Sequence, residues 1–95
     1  MIMIETIRDK IAEYNEEAIL FDELDDAIIG VGQQWGSQTV VIYDRQKCID
    51  IFADKFKKDG SPDPYAEAVE WFDYNVGCAY VGENTPVFLE RLEND

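Results

Sequence analysis

The stretch "AIIGVGQQWGSQTVVIYD", residues 27–44, decides the fold class. Its two halves, 27–32 and 38–44, are rich in β-branched residues, and the "QQWGS" between them holds a glycine where a hairpin connection needs one. The pattern predicts two antiparallel strands. Two strands alone are marginal in water, so a third is expected from "AILF" (18–21), from "PVFLE" (86–90) or from a second copy of the chain.

Outward from the hairpin, Asp44 stands where an N-cap should, ahead of Cys48, Ile49, Phe52 and Phe56 at helical spacing. Lys55, Lys57 and Lys58 suit the negative end of a helix dipole, which predicts a helix over 45–58. "KDGSPDP" (58–64) is turn chemistry, and Asp63 followed by Pro64 reads as an N-cap with proline at the first helical position. The next helix is expected to carry Tyr65, Val69, Phe72, Val76, Ala79 and Tyr80 as its apolar stripe and to cross Gly77 to about residue 80. Gly77 inside it costs about 1 kcal/mol relative to alanine, which marks close packing or a kink. "GENTP" (82–86) stops that helix, and the segment that follows to Leu92 fits a helix or a strand. Upstream, Ile4, Ile7, Ile11 and Tyr14 predict an amphipathic helix over 3–15. The fold class expected is α+β: one small domain over 1–95, about three helices packed on an antiparallel β-hairpin or small sheet.

With 46% hydrophobic and 13% aromatic residues the chain is too apolar for a disordered acidic tail, although its formal charge is −13. The charge argues against direct nucleic-acid binding, which draws on a basic surface, and against anionic membranes. It is uneven: the first 30 and the last 35 residues are strongly acidic, and the middle is near neutral. "MIMIETIRDK" meets Glu5, Arg8, Asp9 and Lys10 before an apolar leader segment could form, and no apolar run is long enough to span a bilayer. A soluble cytoplasmic protein is the expectation. Cys48 and Cys78 form no CxxC pair and read as two buried thiols.

Histidine is absent, which removes the commonest general base and transition-metal ligand. The glycines of "GVGQQWG" are followed by no Gly-Lys-Ser/Thr, so they make no phosphate loop. Asp59, Ser61, Asp63, Tyr65, Glu67 and Glu70 match the spacing of a calcium loop, but Pro64 occupies the position that must turn sharply. The reading is therefore non-enzymatic, with no catalytic residue, no cofactor and no metal.

The aromatics carry more. Trp71 and Tyr74 fall off the stripe and share their side of the helix with Glu67, Glu70 and Asp73, an arrangement suited to anchoring a partner. If Val87–Leu92 folds back over them, they become core instead. Asp22, Glu23, Asp25 and Asp26 form a second acidic patch, and Trp35 in the hairpin loop is a further exposed candidate.

In order along the chain, "LDDAIIGVG", "VVIYDRQKCIDI", "YAEAVEWFDYNV" and "AYVGENTPVF" resemble a family of small acidic proteins encoded by tailed bacteriophages, a family without an assigned activity. The resemblance covers about residues 20–89 and implies a phage origin and a bacterial cytoplasm more than a mechanism. By analogy of class it implies a host-takeover or anti-defence inhibitor, such as an anti-CRISPR or anti-restriction factor that mimics nucleic acid. The partner would then be a host protein, of which a nucleic-acid-binding enzyme is one class. The competing expectation is a self-assembling accessory protein, a homodimer through the neutral hairpin and its open sheet edge.

Overall fold

The computed structural model describes residues 6–77, 80 and 82–92. It has three α-helices and one three-stranded mixed sheet, a small α+β domain. Residues 3–5 of the expected first helix, Cys78 and Ala79 lie outside the described residues; Thr6 is extended and caps that helix, which therefore begins at Ile7 and ends at Tyr14 instead of spanning 3–15.

The elements begin where local chemistry starts them. Thr6 and Asp9 form a reciprocal capping box that opens α1, Ile7–Tyr14. After a 3-10 turn at Asp25–Ala27, strands β1 (Ile28–Gln33) and β2 (Thr39–Asp44) pair antiparallel from Ile28↔Tyr43 to Gln33↔Thr39, with a bulge at Ile29. Gly36 takes φ +79° in the turn between them, closed by the Ser37 N–H on the Gln34 carbonyl. Asp44 ends β2 and caps α2, Arg45–Lys58, by accepting from the Lys47 N–H at 3.2 Å. Asp63 caps α3, Pro64–Phe72, through the Ala66 N–H, with Pro64 in the first turn.

The last segment is a strand. β3, Val87–Leu89, lies beside β2 and runs parallel to it in the register Ile42↔Val87, Tyr43↔Phe88, Asp44↔Leu89. A parallel neighbour requires a long crossover, which α2 and α3 supply. The sheet is therefore not the purely antiparallel hairpin of the expectation. Residues 18–21 form no strand: Ala18, Leu20 and Phe21 pack against the core as a loop.

One face of the sheet makes the core. Val41 and Tyr43 point from β2 toward Ile49 and Phe52 of α2 and Ala68 and Phe72 of α3, while Leu24 and Ile11 close the periphery. Phe88 stacks on Tyr43 at 5.5 Å and meets Phe72 edge-on at 5.0 Å, so these rings bind β2, β3 and α3 together. Cys48 is buried there, and burial, aided by Asp44, pushes its thiol up to about 12.

The stripe of α3 differs from the expected one. Ala68, Phe72 and Val76 are buried, whereas Tyr65 and Tyr80 are exposed. Nor does the α-helix continue to residue 80. It widens into a π-helical turn at Asp73–Gly77, where the Asn75 side-chain amide donates to the Trp71 carbonyl at 3.0 Å.

Asp44 yields a prediction. The Lys47 N–H and then Arg91 hold its carboxyl below the ordinary value of 3.8. A depressed folded pKa means that the contribution is complete above the unfolded value and is lost as pH falls through the folded one. Asp44→Ala should cost about 1 kcal/mol in chemical unfolding at pH 7. Asp44→Asn keeps a capping oxygen, and its deficit against the native chain should shrink as pH drops below about 4. A deficit constant from pH 7 to pH 2 would remove the charge from this account.

Candidate functional site

The core stripe of α3 dictates what its other side presents. With Ala68 and Phe72 turned inward, the 3.6-residue period places Glu67, Glu70 and Trp71 away from the core, and Tyr74 follows in the π-helical turn, exposed. Trp71 is held rather than free: its ring lies 4.6 Å from Phe52 and 6.5 Å from Phe56, both on α2. It still leaves 41% of its surface exposed, and Tyr74 leaves 88%. What covers Trp71 is α2, while Val87–Leu89 of the last segment has joined the sheet.

The carboxylates divide by whether the chain already pairs them. Asp73 binds Arg45 at 3.1 Å, and the same guanidinium sits 5.4 Å over the Phe72 ring. Among the described residues no ion pair involves Glu67 or Glu70, so their charge faces solvent unopposed. The patch at 22–26 is about half compensated, two cations standing against its four carboxylates. Asp25 takes a two-pronged bond from Arg8 at 2.8 and 2.9 Å, which lowers its pKa; Asp22 lies 3.9 Å from the same Arg8, and Glu23 pairs with Lys55 at 3.2 Å. Fully buried Leu24 pins this loop, and Glu23 takes φ +71° beside it. Asp26 is exposed and enters no described ion pair.

The structure thus gathers Glu67, Glu70 and Trp71 on one flank, with exposed Tyr74 in the turn that follows, and sets Asp73 against Arg45. Trp35 stands apart at the hairpin tip, 98% exposed, separated from the 22–26 loop by the whole of β1, about 20 Å of strand. Sequence reasoning missed Arg45 as the clamp on Phe72 and Asp73, and the helix-flanking role of Phe56. It also passed over a groove of about 520 Å³ on the outer face of the sheet. The alternation Gly30, Gly32 against Val40, Ile42 was its visible signal.

The residues of the calcium-like spacing serve the helix ends: Asp59 closes α2, and Asp63 caps α3. Among the described residues no three or more acidic, cysteine or histidine side chains are placed to hold a metal. No buried side-chain polar atom there is left without a hydrogen bond, and Tyr43 OH accepts from the Phe21 N–H at 2.9 Å. Among those residues no helix is long and apolar enough to cross a membrane. In comparison with protein-family models, curated proteins and solved structures, the chain matches none.

Proposed function

We propose that this chain is a small, acidic, non-enzymatic protein of the phage type that binds a host protein through the outward flank of α3. The observation that carries the reading is the pairing of a braced, half-open Trp71 and an open Tyr74 with Glu67 and Glu70, whose charges the chain leaves unopposed. Aromatic anchors supply desolvation energy, and free carboxylates choose a basic surface. The partner that fits is a Lys/Arg-rich cleft built for phosphates, such as that of a host enzyme acting on nucleic acid. The net charge of −13 adds long-range attraction to such a cleft.

The test is a pull-down from bacterial lysate at rising salt, with a Glu67→Lys, Glu70→Lys variant confirmed as folded by circular dichroism. The expected result is a nucleic-acid enzyme that elutes with salt and binds the variant at least about tenfold more weakly. Binding that is indifferent to both salt and charge reversal sinks the reading.

A further inference from the structure

The helices cover one face of the sheet, and among the described residues only the segment around Tyr80, Gly82 and Glu83 borders the other. Residues 27–43 carry no Asp, Glu, Lys or Arg, an interval without charge in a chain of −13. Val40 and Ile42 alternate with the core residues Val41 and Tyr43 and so point outward, and the registers place Gly30, Gly32 and Val87 beside them. The apolar part of the groove there is Val40, Ile42, Tyr80 and Val87 beside Gly32, with glutamines and a serine of the hairpin end completing the lining and Glu83 as its single charge. Gly32 forms part of its floor: a Cβ on Gly32 would lie 2.7 Å from Ile42 Cδ1, so the glycine lets Ile42 lie across β1. Gly30 faces open space, and its φ is not positive. Nothing described within the chain requires a glycine there, although glycine weakens a strand.

Beside this groove stands Trp35, on the turn whose flanking residues Gln34 and Ser37 also border it. A 98% exposed tryptophan on a charge-free hairpin is the largest apolar group the chain leaves in water. One molecule thus carries both an apolar knob and an apolar hole, side by side.

We propose that the groove receives the Trp35 hairpin tip of a second copy, and that the two copies exchange tips in a closed two-fold dimer. Charge decides the occupant. A basic partner gains little from a face whose one carboxylate is Glu83, and two copies of −13 approach best where each is least charged, which is this hairpin. Knob and hole on the same surface satisfy the self-complementarity that a two-fold interface demands. The contact is independent of the α3 flank, and its dependence on salt has the opposite sign. Salt screens the repulsion between two acidic copies and tightens the dimer, whereas it weakens attraction to a basic partner.

The experiment is sedimentation equilibrium of the full chain over micromolar to millimolar concentration, at low and high salt, with Trp35→Ala and Val87→Lys alongside. Trp35 makes almost no contact within its own chain, so Trp35→Ala should retain the native circular dichroism spectrum. The expected result is a native dimer that tightens with salt, and a dissociation constant raised about 30-fold or more in Trp35→Ala. Val87→Lys should be monomeric, because it places a charge in each groove. A native chain that stays at 10.9 kDa throughout, or a dimer that Trp35→Ala leaves intact, overturns the proposal.

Discussion

Tyr43→Ala is expected to remove about half or more of the chain's stability. Tyr43 is fully buried near the end of β2, the middle strand, pairs across to Ile28 on one side and Phe88 on the other, and stacks on the Phe88 ring at 5.5 Å. Its hydroxyl accepts from the Phe21 N–H at 2.9 Å, which ties the 18–21 loop to the sheet. Truncating a large buried aromatic costs about 3–5 kcal/mol, and a domain of this size has about 5–10 kcal/mol in all. Tyr43→Phe separates the ring from its hydroxyl. It keeps the stack and strands one backbone donor, so its cost should be about 1–2 kcal/mol. Urea unfolding followed by circular dichroism reads both. Both variants should show a lowered midpoint with unchanged slope, the alanine variant by far the more, with a shortened folded baseline. An alanine variant within about 1 kcal/mol of the native chain would refute the central place given to Tyr43.

The second large effect sets two neighbouring aromatics against each other. Phe72 is 1% exposed, meets Phe88 edge-on at 5.0 Å and carries the Arg45 guanidinium over its face. Phe72→Ala should therefore destabilise by about 3–5 kcal/mol and loosen β3, whose hold on the sheet is only three residues long. Trp71 precedes it in the chain but keeps 41% of its surface in water and contacts only the α2 rings among described aromatics. Trp71→Ala should cost clearly less stability while removing the anchor of the α3 flank, so its main loss should appear in partner affinity. Unfolding midpoints of the two variants, together with capture of the host partner by Trp71→Ala, check the division. Equal loss of stability in both would make Trp71 a core residue and withdraw it from the binding surface.

The two interfaces proposed here draw on different physics within one small domain. The α3 flank uses unopposed carboxylates beside braced aromatics, and the hairpin uses the absence of charge. Opposite responses to salt let one series of measurements separate them.

Several features were legible in the chain because their causes lie within a few residues. Asp44 and Asp63 each accept from a backbone N–H three residues on, so a capping oxygen at the right offset states where a helix begins; Thr6 does the same for α1, but the apolar spacing of Ile4 and Ile7 carried the expected start past it to residue 3. The hairpin was legible for a similar reason: β-branched runs and a glycine in the turn set a local twist and register. The charge-free interval and the acid-rich ends are composition, visible before any fold. Other features depended on groups far apart in sequence. β3 pairs with β2 because Phe88 fits between Tyr43 and Phe72, a match no window around "PVFL" contains. Whether Tyr65 or Trp71 faced inward hung on where α2 lay, and a helical period allows either when both flanks are aromatic. Which carboxylates remained unopposed was likewise settled by distance in space, since Arg8, Arg45 and Lys55 reach across 17, 28 and 32 residues to their partners. Sequence alone thus determined where α2 and α3 start and which part of the chain is neutral, because caps, turns and composition are local. Tertiary structure alone decided which faces those elements show, because burial and ion pairing are settled between elements and not within them.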